Sequence, residues 1–110
     1  MSKKEEFLEY VLKDVLREVS GVTARAMFGG YGLYKDSIFF AIITNNKLYF
    51  KVDDKTRREY KDYGSSAFSY MRSGKKTMLK SYYELPVEIL ENPKKAKAWA
   101  RQAWRIKSNK

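Results

Sequence analysis

Cysteine and histidine are both absent from these 110 residues. Without cysteine there is no disulfide, no thiolate nucleophile and no zinc-finger ligation. Without histidine there is no imidazole base for a serine or cysteine triad, and no side chain that titrates near neutrality by default. A metal site would have to be all-oxygen, built from Asp and Glu and suited to magnesium or calcium. The acids are scattered instead: Glu5, Glu6, Glu9, Asp14 and Glu18 run along one segment, and Asp53 and Asp54 stand where a helix is due to begin, a common capping position. No catalytic residue, cofactor or metal is expected, and the chain reads as a non-enzyme. Long apolar runs are missing too. No segment approaches the roughly 18 consecutive apolar residues that cross a bilayer. The start, MSKKEEFLEYVLKDVL, interrupts its apolar pattern with charge, unlike a signal peptide. The expected location is the cytoplasm, with no membrane partner.

What is present suits a folded protein. Apolar residues make up 44% of the chain, enough to offset chain entropy once buried. The length fits one compact domain over residues 1–110. Net charge is +10, and from Lys94 to Lys110 there are seven basic residues and no acidic ones. Such asymmetry bears on partners and solubility, not on fold.

Phe7, Leu8, Val11, Leu12, Val15, Leu16 and Val19 make one apolar stripe, which predicts a helix from Lys3 to Val19. Ser2 and Glu5 match a capping box, and Gly21 is a natural stop. A strand is expected over Val22–Phe28, interrupted by Gly29 and Gly30 and resumed as Tyr31–Tyr34. A second strand, Ser37–Thr44, carries apolar residues on both faces, with Ile38, Phe40 and Ile42 on one and Phe39, Ala41 and Ile43 on the other. Asn45 and Asn46 supply a tight turn into Lys47–Val52, whose Leu48, Phe50 and Val52 point inward. A helix over Lys55–Tyr63 should end at Gly64. Strands Ala67–Arg72 and Thr77–Tyr83 should join at Ser73–Lys75. Pro86 suits the first turn of a helix, and Asn92 with Pro93 repeats that signal before a long helix to about Ile106. The order α-β-β-β-α-β-β-α predicts an α+β, two-layer, mainly antiparallel five-stranded sheet with helices on one side.

Four constellations invite function. Gly29, Gly30 and Gly32 suggest a phosphate loop, but that loop needs a helix after it, and here a strand follows. A bulge or bend where another backbone or ring packs closely is the better account. Ser73 and Lys76 form an S-x-x-K string in a turn instead of at a helix start, so it reads as coincidence. The last helix carries Ala96, Trp99, Ala100, Ala103 and Trp104 on one face, with Lys94, Lys97, Arg101 and Arg105 opposite. The apolar face suggests close docking. The basic stripe would serve either as a solvated face or as a contact for nucleic acid or an acidic partner. The outward sheet face, with Tyr49, Lys51 and some of Tyr70, Arg72, Lys80 and Tyr82, offers a stacking platform, cross-strand aromatic pairing or a homodimer contact.

Several blocks together resemble the N-terminal domain of the TfoX/Sxy family, proteins associated with DNA-transformation competence. They are Arg25–Tyr34, the aromatic strand at Phe39, Phe40 and Ala41, Leu48–Lys51, Phe68–Tyr70 with Arg72, Ser81–Pro86 with Tyr82 and Tyr83, and Trp99–Arg101. The resemblance implies a two-layer domain of secretion-chaperone-like topology. It also implies a link to activation of competence genes, in company with the cyclic-AMP receptor protein at promoters. It supplies no catalytic residue or cofactor. The second, helical C-terminal domain of longer members is not expected within residues 1–110. The resulting expectation is a regulatory or adaptor protein acting through protein–protein contacts in transcriptional regulation of DNA uptake, with a transcription regulator as partner and a homodimer as one form. The alternative is a small basic module that binds nucleic acid through Lys94, Lys97, Arg101 and Arg105.

Overall fold

The computed structural model describes residues 2–27 and 29–106. Among these residues, six strands form a single antiparallel sheet in the order β1-β2-β3-β4-β6-β5. They are β1 (Val22–Met27), β2 (Gly30–Lys35), β3 (Ile38–Thr44), β4 (Lys47–Lys51), β5 (Ala67–Arg72) and β6 (Lys75–Glu84). The helices are α1 (Lys3–Tyr10), α2 (Asp54–Asp62), α3 (Val87–Leu90) and α4 (Pro93–Trp104). The α+β, two-layer reading holds, with six strands where five were expected. The extra strand arises at the glycines. Gly29 takes φ +75° and Gly30 pairs with Met27, so the expected interrupted strand is a hairpin of two. Phe28, the expected end of the first, lies outside the described residues.

The first helix starts as the sequence implies. The Ser2 hydroxyl accepts from the Glu5 amide at 3.2 Å, and the Glu5 carboxylate accepts from the Ser2 amide at 3.0 Å. It does not remain α-helical to Val19. Val11–Val15 forms a π-helical turn, with the Leu16 amide donating to the Val11 carbonyl at 2.8 Å. Residues five apart on an α-helix diverge by about 140°; the wider turn brings Val11 and Leu16 back to one side. Both are buried there with Val15.

The main core lies between the sheet and these helices. Val11, Val15 and Leu16 meet Leu33, Phe40, Ala41, Ile43, Leu48 and Phe50 from the strands, with Tyr60, Ile89, Ala96, Trp99, Ala100 and Ala103 from the other helices. The expected facing of β3 needs one correction. Tyr34 pairs with Phe39 and Leu33 with Ala41, so the ladder shifts and Phe40 has no partner of its own. The bulge turns Phe40 to the helix side with Ala41 and Ile43, while Phe39 joins Ile42 on the opposite side. An extra residue shifts alternation by one, which strict period-two reading misses. Strand β4 follows its alternation: Leu48 and Phe50 face the helices, as does Val52 just beyond it.

Helix α2 is fixed at both ends. Asp53 accepts from the Thr56 amide at 2.8 Å, and Gly64 at φ +79° closes it, with Gly64 and Ser65 amides donating to the carbonyls of Lys61 and Tyr60. This is a Schellman closure. Asn92 caps α4 by accepting from the Lys95 amide at 3.2 Å, with Pro93 in the first turn. That helix ends at Trp104, slightly before the expected Ile106.

Candidate functional site

The glycine element is built into the middle of the sheet. Strand β2 pairs with β1 on one side and β3 on the other, so its backbone groups are drawn into ladders. A Cβ added to Gly30 would stand 2.0 Å from the Ile43 carbonyl oxygen. One added to Gly32 would stand 2.6 Å from Met27 Cε and 2.8 Å from Phe39 Cε1. A neighbouring backbone at Gly30, and the Met27 side chain with the Phe39 ring at Gly32, leave no room for a side chain at either position. No helix follows to present its N-terminus, and Gly29 serves the turn between β1 and β2.

The carboxylates are likewise engaged locally. Asp53 caps α2, and the Thr56 amide hydrogen bond, opposed in part by burial, holds its carboxyl below the ordinary value. Asp54 pairs with Arg57 at 2.7 Å, and Arg57 Nε donates to the Lys80 carbonyl, tying α2 to β6. A hollow of about 440 Å³ runs along exposed α2 between Asp54, Lys55, Arg58, Glu59 and Asp62. Among the described residues, no three His, Cys, Asp or Glu side chains gather closely enough to hold a metal ion. The S-x-x-K string falls in the β5–β6 turn, where Ser73 and Gly74 take φ +51° and +76° between paired Arg72 and Lys75.

The segment with Tyr82, Tyr83 and Pro86 has a structural explanation. Tyr83 faces the helices and meets Tyr60 with centroids 6.2 Å apart. Tyr82 faces the other way, 5.7 Å from Phe39. Leu85 donates its amide to the Leu48 carbonyl, continuing the chain past β4. Pro86 is the residue just before α3, one position earlier than expected, and its carbonyl accepts from Ile89 and Leu90.

Among the described residues, no helix contributes to the second apolar cluster, on the open sheet face. It joins Ile42, Tyr49, Phe68 and Tyr82 with Phe39 and Leu79. Its rings lean on one another: Tyr49 lies 5.1 Å from Phe68, Tyr34 lies 5.3 Å from Phe39, and Arg25 sits over Tyr34. Tyr49 and Tyr82 retain only 9% and 7% of their exposure, so their faces are occupied by neighbours. This matches cross-strand aromatic pairing. Burial raises the Tyr49 phenol, with nearby Glu84 adding to it, and pushes Tyr82 up to about 12, with Tyr34 contributing less.

Helix α4 presents two unlike faces. Ala96, Ala100 and Ala103 are fully enclosed, and their small size lets the helix lie close to β3 and β4. Trp99 fits against Tyr60 at 4.6 Å and Tyr63 at 5.6 Å. Trp104 meets Phe40 edge-on at 5.6 Å, and Lys35 Nζ lies over its indole. Lys94, Arg101 and Arg105 are exposed and Lys97 is half-buried. Among the described residues no carboxylate lies within ion-pair distance of these four. Also among the described residues, no helix is long and apolar enough to cross a membrane.

Fold and surface together define a small two-layer α+β domain, with one sheet face covered by helices and the other closed by its own aromatic residues. Comparison with known proteins gives it a family. The chain belongs to the TfoX N-terminal domain family, which matches over residues 14–106. It is 30% identical over 93 residues to the DNA transformation protein TfoX of Haemophilus influenzae. That match covers 84% of this chain and 43% of the relative, so the chain spans less than half of that protein's length.

Proposed function

We propose that this chain is a non-catalytic regulatory or adaptor protein that works in the cytoplasm through protein–protein contacts in transcriptional regulation of DNA uptake. Family membership, with a relative that is itself a DNA transformation protein, is the observation that carries this reading. The local engagement of its carboxylates supports it, because Asp53 and Asp54 are spent on capping and pairing. The partner expected is a transcription regulator. Affinity capture of the tagged chain from transformable cells, taken while uptake genes are active, tests this. A transcription regulator recovered at levels comparable to the bait supports the reading. Recovery of none above an untagged control counts against it.

The exposed stripe of α4 favours a second reading, direct contact with nucleic acid through Lys94, Lys97, Arg101 and Arg105. Binding of this kind releases condensed counterions and weakens steeply with salt. Replacing all four with glutamine would flatten the salt dependence of duplex affinity. An unaltered salt slope would remove α4 from any such contact.

A further inference from the structure

Strand β5 is an edge of the sheet, and among the described residues it pairs with β6 alone. The β5–β6 turn has two residues, Ser73 and Gly74, between paired Arg72 and Lys75. In such a hairpin the pair beside the turn exchanges hydrogen bonds and the pattern alternates from there. Phe68, Tyr70 and Arg72 therefore turn their amides and carbonyls toward β6, while Ser69 and Met71 turn theirs outward. Natural edges are commonly blunted by proline, a covering element or inward-pointing charge. Here Ala67–Met71 holds neither proline nor charge, and the main packing partner of β5 is β6.

The side chains around this edge are those of a recognition surface. Met71 and Met78 are 68% and 48% exposed. Met71 pairs with Lys76 and Met78 with Ser69, so the two methionines are diagonal neighbours on one face. Flexible thioethers adapt to varied partners. Tyr70 stacks on Phe68 across the other face, with centroids 5.8 Å apart, and remains exposed. Charge here has one sign. Arg72, Lys75, Lys76 and Lys80 are all exposed, and no acid occurs between Asp62 and Glu84.

We propose that the β5 edge takes up an extended segment of a partner protein as an added strand, the segment being apolar at its centre and acidic at its ends. Outward amides and carbonyls of Ser69 and Met71 supply main-chain hydrogen bonds, Tyr70, Met71 and Met78 supply apolar contact, and the four cations select acidic flanks. A second copy of the chain is the poorer occupant, because each copy carries +10 and brings four more cations to the same edge. The inference rests on the protein-contact reading above and names the surface that makes the contact.

The test uses a labelled peptide of alternating valine and threonine ended by glutamates, and follows its fluorescence anisotropy with the full chain. Saturable binding is expected, at least tenfold weaker for the same peptide ended by lysines. Ser69→Pro and Met71→Pro each remove an outward amide at a position where an edge strand tolerates proline, and each should weaken binding tenfold or more. N-methylation of alternate peptide amides should do the same with the protein untouched. Absence of saturable binding, or equal binding by the N-methylated peptide, would overturn the proposal. So would light scattering that shows a dimer dissolved by Met71→Pro. Capture of a transcription regulator undiminished by Met71→Pro would discard this edge while leaving the regulatory reading intact.

Discussion

Gly30 stands where one methyl group collides with the neighbouring strand. The obstacle is a backbone carbonyl, Ile43 O, at 2.0 Å from any added Cβ, and it has little freedom to retreat. Gly30→Ala should cost roughly 1–3 kcal/mol through overpacking, read as a lower urea midpoint with an unchanged m-value. An unchanged midpoint would mean the strands are not this close. Asp53 shows a different single-residue effect. Asp53→Ala removes the cap of α2 and should cost about 1 kcal/mol at neutral pH. Its folded pKa lies below the ordinary 3.8, so its contribution is present above that value and is lost as pH falls through the folded one. Wild type and variant should therefore converge in acid, as chemical unfolding at stepped pH would show. Such local chemistry is legible in sequence: Ser2, Asp53, Asn92 and the Asn45–Asn46 turn all act within a few residues of themselves. The need for glycine at Gly30 and Gly32 depends on Ile43 and Phe39, so only its general kind was readable.

At the scale of elements, periodicity located most of the structure and missed what breaks periodicity. The bulge at Phe40 and the π-helical turn at Val11–Val15 each add a residue to a regular repeat. Their sequences look regular because tertiary packing selects them. Asp36 and Ser37, at φ +50° and +71°, form a turn where strand was expected from Ser37, and short polar residues that tolerate this conformation were the available signal. The faces of α4 were plain from spacing, and their energetic weight can be tested. Trp99 is nearly enclosed and touches Tyr60 and Tyr63, so Trp99→Ala should cost about 3–5 kcal/mol. Trp104 is half-buried and its removal should cost less, a ranking that thermal unfolding of both variants would check. Replacing Lys94, Lys97, Arg101 and Arg105 with glutamine should shift stability by under about 1 kcal/mol, which makes that variant a clean probe of binding.

For the molecule as a whole, the two faces of the sheet have been closed by different means. Helices cover one, and tyrosines and phenylalanines pack over the other. Burial raises the phenols of Tyr49, Tyr60 and Tyr82, the last to about 12. An unfolded tyrosine ionises near 10, so the folded chain holds protons that the unfolded chain releases. Stability is retained below pH 10 and lost as pH rises from there toward 12, with Tyr82→Phe flattening the decline. A flat alkaline profile in the wild type would contradict the burial described.

On the function proposed above, the chain acts at this scale by contact with a transcription regulator. The most direct measurement is transcription of DNA-uptake genes in a transformable cell that lacks its own competence regulator and produces this chain. A regulatory role for the chain requires transcription clearly above that of cells carrying an empty vector. Transcription at the empty-vector level, with the chain shown to be folded and abundant, would contradict it.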